Sequence, residues 1–126
     1  MASSENEQAA LQWQVGVWDR MSPIYLREVD NRFIEIIDGV IRRAGLQSGQ
    51  QVLDLGAGTG SVALKAACSV TPGGTVTAVD ISPEMLGHAR RRATSMGLSN
   101  ITFWRVARRR YRHPPAGLTP CRPRSA

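Results

Sequence analysis

Three alternate glycines in the segment Asp54–Gly60, DLGAGTG, are the strongest chemical signal in the sequence. They stand between a short apolar run that predicts a strand and a run that predicts a helix. Glycines at such a turn permit a tight bend and a close approach of ligand to backbone, and the helix start offers free N–H groups. The segment is therefore interpreted as a ligand-binding loop, although a plain strand-to-helix turn can share the pattern.

Asp80 follows the second predicted strand, 20 positions after Gly60. An acidic side chain at this distance can accept hydrogen bonds from both hydroxyls of a ribose. An isolated Asp at this place could instead cap the next helix or lie in a solvated turn. Combined with the glycine loop, Asp80 indicates a nucleoside site.

Asp54 helps to choose between two classes of nucleoside. The pyrophosphate of a dinucleotide would lie against the glycine loop and be repelled by this carboxylate, whereas S-adenosylmethionine brings a cationic amino group and no phosphate. Asp54 therefore favours S-adenosylmethionine. The alternative is an NAD(P)-binding oxidoreductase fragment, because residues 58–63, GTGSVA, also satisfy the G-x-G-x-x-A pattern of dinucleotide sites.

The elements that must position these residues alternate between strand and helix. The predicted elements are strands at 51–55, 75–79 and 101–104, and helices at 60–69 and 83–96, the last with Ser82 as N-cap and Pro83 at its first position. A β-α-β-α-β order with connections of helical length implies parallel strands joined by right-handed crossovers. The expected fold class is α/β, the first half of a doubly wound, Rossmann-like sheet.

Two helices are predicted before the first strand. Residues 8–20 carry apolar side chains at helical spacing, and Pro23 is expected to break that helix because proline disfavours helix in the residue before it. A second helix is predicted from about Asp30 to Ala44, with Gly45 as its C-cap.

Three successive segments, VLDLGAGTG, VTAVDISPEML and ITF, resemble the motifs of class I S-adenosylmethionine-dependent methyltransferases. The resemblance is to the small-molecule branch that includes ubiquinone and menaquinone biosynthesis enzymes, and it covers about residues 18–104. It implies that S-adenosylmethionine is the cofactor and that a small molecule accepts the methyl group.

The resemblance also implies a set of residues that contact the cofactor: Tyr25, Asp54, Gly56, Gly58, Gly60, Asp80, Ile81 and Met85. The three glycines would line the methionine end, with Asp54 meeting the amino group directly or through water. Asp80 would hold the ribose, Ile81 and Met85 would form the adenine wall, and Tyr25 would lie in an N-terminal helix over the cofactor. For Met85, an ordinary core position is an equal alternative.

The sequence departs from the family pattern after the third predicted strand. The family usually carries an acidic residue there for the adenine amino group, but residues 104–108 read WRVAR. Residues 1–104 are therefore interpreted as a partial methyltransferase domain and residues 105–126 as a disordered Arg/Pro-rich tail, from a truncated or frame-shifted reading of a longer enzyme. We expect weak cofactor binding, little turnover, and an exposed first strand that can self-associate or be completed by a partner.

The charge of the chain is unevenly distributed. All ten acidic residues precede position 105, while seven arginines follow position 104, so the tail carries the excess that makes the net charge +6. Such a tail could bind phosphates of a nucleic acid, but a solvated tail is the preferred interpretation. Nucleic acid is therefore not an expected partner.

Compartment and metal content are predicted from the two cysteines and the N-terminus. Cys68, in a predicted helix, and Cys121, in the tail, are too few and too poorly placed for a disulfide framework or a metal site. The N-terminus has no signal-peptide pattern, and no run of apolar residues is long enough to span a bilayer. A cytoplasmic protein without membrane attachment is expected.

The predicted reaction needs few catalytic groups. Transfer of a sulfonium methyl group is an in-line displacement, so catalysis comes mainly from positioning the nucleophile against the methyl carbon. No catalytic residue is assigned, and His88 is interpreted as a packed or solvated helix residue. A noncatalytic nucleoside-binding module is the second alternative.

Overall fold

The computed structural model describes residues 2–106, which build a three-stranded parallel sheet with helices. The strands are β1 (Gln51–Leu55), β2 (Thr75–Asp80) and β3 (Ile101–Arg105), in the order β1-β2-β3. Leu55 pairs with Val79 and Asp80 with Arg105, so the carboxyl ends of the strands meet at one edge. The helices are α1 (Ala2–Ile24), α2 (Asp30–Arg32), α3 (Ile34–Ala44), α4 (Ser61–Ser69) and α5 (Pro83–Ser95).

Small side chains form the core between the sheet and its two crossover helices. Ala63 and Ala67 of α4 are completely buried, and they pack in one cluster with Val76 and Ala78 of β2. Alanine at these positions brings the helix backbone close to the strands, where the side chains fill the space at interior density. The sequence is therefore suited to holding the start of α4, and the loop before it, firmly against the sheet.

The first helix does not end at Pro23, contrary to the prediction. Pro23 lacks an N–H that could bond the carbonyl of Asp19, but the buried hydroxyl of Ser22 donates to that carbonyl at 2.8 Å. The side chain thus replaces the missing backbone bond, and α1 continues to Ile24. The chain then continues as a single π-helical segment, Tyr25–Val29.

The second predicted helix forms in two parts, because a turn at Phe33 separates α2 from α3. Gly45 ends α3 in the left-handed conformation, with φ 58°, and donates its N–H to the carbonyl of Arg42. An ion pair between Asp38 and Lys65 ties α3 to α4. The predicted C-cap is confirmed, and α3 is fixed beside the helix that follows the glycine loop.

β1 lies at one edge of the described sheet, as predicted. Leu55 at its end pairs only with β2 and is 62% exposed. Unpaired backbone groups on such an edge can pair with another strand. Self-association through this edge stays a prediction that sedimentation of the purified chain can test.

The predicted alternation of strands and helices is confirmed, with small changes at the element ends. β3 extends to Arg105, the residue at which the tail was predicted to begin. Val106 is also described, and it donates its N–H to the carbonyl of Asp80 at 3.0 Å, so the prediction of disorder was wrong for Arg105 and Val106. Residues 107–126 of the predicted tail lie outside the described residues. Within residues 2–106, no helix combines the length and hydrophobicity needed to cross a bilayer.

Candidate functional site

A cavity of about 920 Å³ lies where the carboxyl ends of β1 and β2 meet the glycine loop. Its opposite wall comes from α1, the π-helical segment, the turn before α3 and α3 itself, which contribute Trp18, Tyr25, Phe33 and Ile37 among others. Pockets for drug-sized ligands measure roughly 300 to 1,000 Å³. The cavity is therefore large enough for a nucleoside together with a second small molecule.

The glycine loop needs glycine for two different reasons. Gly56, Gly58 and Gly60 all have positive φ, at 72°, 56° and 89°. A Cβ at Gly60 would lie 2.8 Å from the Cβ of Ala89, whereas a Cβ at Gly56 or Gly58 would meet nothing within 4 Å. Gly56 and Gly58 line the cavity, while Gly60 allows the loop to pack against α5.

Asp80 lies on the cavity wall with its carboxylate fixed by backbone amides. Oδ2 accepts a hydrogen bond from the N–H of Gly58 at 2.9 Å, and Oδ1 accepts one from the N–H of Ser82 at 2.9 Å. A carboxylate offers about four acceptor positions. Asp80 therefore holds the loop in place and still has capacity for the hydroxyls of a ligand.

Asp54 has a buried carboxylate oxygen with no hydrogen-bond partner among the described residues, its Oδ2. Burial, and next the negative charge of Asp80, raise the pKa of Asp54 to about 6, while a hydrogen bond with the backbone of Ala63 opposes this rise. Leaving a buried charged acceptor unbonded is costly, so natural proteins rarely do so without a function. The position is suited to a cationic or hydrogen-bond-donating group.

The structure brings most of the predicted site residues to one cavity. Six of the eight line it: Tyr25, Gly56, Gly58, Asp80, Ile81 and Met85. Asp54 and Gly60 are not among the residues that form its wall. Met85 is only 3% exposed, so it serves the core as well as the cavity.

An aromatic pair covers part of the cavity from the N-terminal side. The rings of Trp18 and Tyr25 meet edge to face, with centroids 6.5 Å apart, and both line the cavity. Such pairs are favourable beyond the area that they bury. They place two rigid aromatic side chains from α1 and the π-helical segment over the loop.

Two positioning contacts were not predicted from the sequence. Arg92 donates from Nη1 to the carbonyl of Thr59 at 2.9 Å and to Oγ of Ser61 at 3.0 Å, so α5 holds the end of the glycine loop. The carboxylate of Asp19 in α1 accepts a hydrogen bond from Ser82. Nothing in the local sequence indicates either contact, because each joins elements far apart in the chain.

The cavity wall is mainly apolar and carries few polar groups. Asp80 is the one acidic side chain among its described lining residues, which are otherwise mainly apolar, with hydroxyls from Tyr25, Thr59 and Ser61. His88 lies away from it, with Nδ1 3.1 Å from Nη2 of Arg91. The arrangement can bind a ligand that combines hydroxyl groups with apolar surface, and it offers no evident general base in the described residues.

Comparisons with known proteins agree with this geometry. A family described as a methyltransferase domain matches residues 46–106. Aklanonic acid methyltransferase DauC from Streptomyces sp. (strain C5) is 34% identical over 86 residues, 68% of this chain and 36% of that protein. Nocamycin O-methyltransferase from Saccharothrix syringae is 31% identical over 87 residues, 69% of this chain and 29% of that protein.

A solved structure is also similar. A SAM-dependent methyltransferase from Aquifex aeolicus superimposes with a TM-score of 0.57 at 28% identity, over 67% of this chain and 46% of that chain. This chain spans about a third of the length of these two curated relatives. The family match at residues 46–106 includes the sheet and the glycine loop.

The parallel sheet, the glycine loop and the acidic residue at the end of β2 define a Rossmann-like methyltransferase domain. Residues 46–106 of the chain belong to the class I S-adenosylmethionine-dependent methyltransferases. This membership confirms the resemblance seen in the sequence, and with it the fold class and S-adenosylmethionine as the cofactor of the family. The dinucleotide and noncatalytic alternatives are not favoured.

Proposed function

We propose that the cavity binds S-adenosylmethionine and that the protein transfers its methyl group to a small-molecule acceptor. The observation that carries this proposal is Asp80, fixed on the cavity wall by the amides of Gly58 and Ser82 and able to accept further hydrogen bonds. Two ribose hydroxyls donating to this carboxylate would satisfy it. The adenine would then lie against Ile81 and Met85, next along the chain.

The loop end of the cavity suits the amino-acid part of the cofactor. Asp54 does not line the cavity, but it carries an unpartnered oxygen in the strand that leads into the loop. An ammonium group that reaches this oxygen, directly or through an ordered water, would supply the missing donor. A positive charge near this carboxylate also favours its ionised form, which burial disfavours. Gly56 and Gly58 leave room for that approach, because a Cβ at either position would project into open space.

The acceptor is proposed to be a small molecule because the two curated relatives bear the names of small-molecule methyltransferases. Bound S-adenosylmethionine supplies an electrophilic methyl group. The residues of this chain would hold that group in line with the acceptor and exclude water through the apolar wall of Trp18, Tyr25 and Phe33. No described residue is assigned to proton transfer.

Calorimetric titration with S-adenosylhomocysteine and, separately, with NAD⁺ tests the proposal. We expect heat from the first ligand and none from the second. Asp80→Ala should weaken binding by at least about tenfold, since hydrogen bonds to a charged group contribute about 1.5 to 3 kcal/mol each. Glu35→Ala, which removes an exposed carboxylate of α3 that does not line the cavity, is the matched control and should bind like the wild type.

Two results would contradict the proposal. One is tighter binding of NAD⁺ than of S-adenosylhomocysteine. The other is equal affinity of the wild type and Asp80→Ala for S-adenosylhomocysteine. The same titration measures whether binding is weak, as the sequence predicts.

A further inference from the structure

A hydrogen bond joins the N-terminal helix to the start of α5, next to the proposed ribose site. Oγ of Ser82 donates to Oδ1 of Asp19 at 2.5 Å, across 63 positions of sequence. Ser82 is completely buried, and Asp19 is partly buried. A short, shielded hydrogen bond to a carboxylate is among the stronger neutral-to-charged contacts in proteins.

Ser82 is also bonded to Asp80 and to its own helix. Its backbone N–H donates to Oδ1 of Asp80 at 2.9 Å, and its Oγ accepts the N–H of Met85 at 3.1 Å as the N-cap of α5. Asp80 in turn accepts the N–H of Gly58. A continuous series of hydrogen bonds therefore runs from Asp19 through Ser82 and Asp80 to the glycine loop.

The same contact fixes the orientation of α1. Asp19 and Trp18 are neighbours, so when the carboxylate of Asp19 is held by Ser82, the ring of Trp18 lies in the cavity wall. The carbonyl of Asp19 is bonded by the buried hydroxyl of Ser22, which keeps this part of the helix regular. Asp19 is thus held through both its side chain and its backbone.

We propose that Asp19 is a positioning residue that keeps the carboxylate of Asp80 available to the ribose. This inference rests on the proposed function of the cavity. Asp19 accepts the hydroxyl proton of Ser82 and so directs that proton away from Asp80, two residues earlier in the chain. Without Asp19, the buried hydroxyl needs another acceptor, and a bond to Asp80 would use capacity that the ribose hydroxyls require.

A ligand pair separates this role from general support of the fold. S-adenosylhomocysteine and its analogue lacking both ribose hydroxyls are titrated against the wild type and Asp19→Ala. In the wild type, the analogue should bind at least about tenfold more weakly, because it loses the bonds to Asp80. In Asp19→Ala, the ratio of the dissociation constants of the analogue and S-adenosylhomocysteine should be smaller than in the wild type by about threefold or more. The reason is that the mutation and the missing hydroxyls affect the same interaction.

Three further variants serve as controls. Asp19→Asn keeps an oxygen that can accept from Ser82 and should retain most of the wild-type ratio. Glu7→Ala removes an acidic side chain from an exposed position of the same helix and should leave the ratio unchanged. Asp19→Ser withdraws the carboxylate but keeps a polar side chain, so it repeats the test if Asp19→Ala does not fold by circular dichroism.

The outcomes distinguish the inference from the proposed function. If Asp19→Ala weakens both ligands by the same factor, or neither, Asp19 does not act through Asp80 and the inference is wrong while cofactor binding stands. If the wild type binds both ligands equally, Asp80 does not hold the ribose and the inference also fails. If the wild type does not bind S-adenosylhomocysteine at all, the proposed function itself is contradicted.

Discussion

Replacing the buried carboxyl of Asp54 by an amide should change how the stability of the ligand-free fold depends on pH. The pKa of this group rises from 3.8 to about 6 on folding, chiefly through burial. Between pH 3.8 and about 6, this carboxyl group is therefore mostly protonated in the folded state and mostly ionised in the unfolded state. The stabilising contribution is fully present below pH 3.8 and is lost as the pH rises through about 6.

The size of this effect follows from the shift in pKa. A change of one unit corresponds to about 1.4 kcal/mol, so a rise of about two units corresponds to about 3 kcal/mol. Asp54→Asn cannot titrate. The free energy of unfolding of the wild type, minus that of Asp54→Asn, should therefore fall by about 3 kcal/mol between pH below 3.8 and pH above 6.

Urea denaturation followed by tryptophan fluorescence measures both free energies across this range. Taking the difference removes the titrations that both proteins share. Glu7→Gln, the same chemical change at an exposed position of α1, should show a difference that does not vary with pH. A flat profile for Asp54→Asn, or one that rises with pH, would refute the assignment of a buried carboxyl with a raised pKa.

Three further substitutions test the supports of the site, each by urea denaturation. Gly60→Ala should lower the free energy of unfolding by about 3 kcal/mol, because the new side chain is strained at positive φ and also clashes with α5. Gly97→Ala, at φ 69° with open space around it, has the strain without the clash and should cost about 1 kcal/mol. Arg92→Leu should cost about 1 to 3 kcal/mol by removing the two hydrogen bonds that Arg92 donates to the loop. Ser22→Ala should lower the free energy of unfolding by about 1 kcal/mol in the wild type. It should lower it by less in a Pro23→Ala background, because alanine at this position provides a backbone N–H for the carbonyl of Asp19. Equal costs in both backgrounds would show that the Ser22 hydroxyl does not replace the missing N–H of Pro23.

Local signals explain why the order of elements could be predicted from the sequence. Gly45 and Gly97 end helices through conformations that glycine adopts at little cost, and Ser82 with Pro83 begins one. These choices depend on a few adjacent residues. At Pro23 the local rule was wrong, because a neighbouring hydroxyl replaced the lost hydrogen bond.

The spacing of the glycines and Asp80 predicted a common site, but not the contacts that hold it. Arg92 reaches the loop across 33 positions, and Asp19 reaches Ser82 across 63, so no periodicity in the sequence records either contact. The missing partner of Asp54 Oδ2 depends on packing around the whole side chain. Such features follow only from the assembled structure.

The hydrogen bond between Asp19 and Ser82 has a consequence for the order of folding. Contacts within the β-α-β-α-β unit close comparatively short loops, whereas α1 is fastened to α5 over 63 residues. Closing a longer loop costs more chain entropy and slows the step that requires it. We therefore expect the sheet unit to assemble first and α1 to dock afterwards, so that the aromatic cover of the cavity is the last part to form and the first to open.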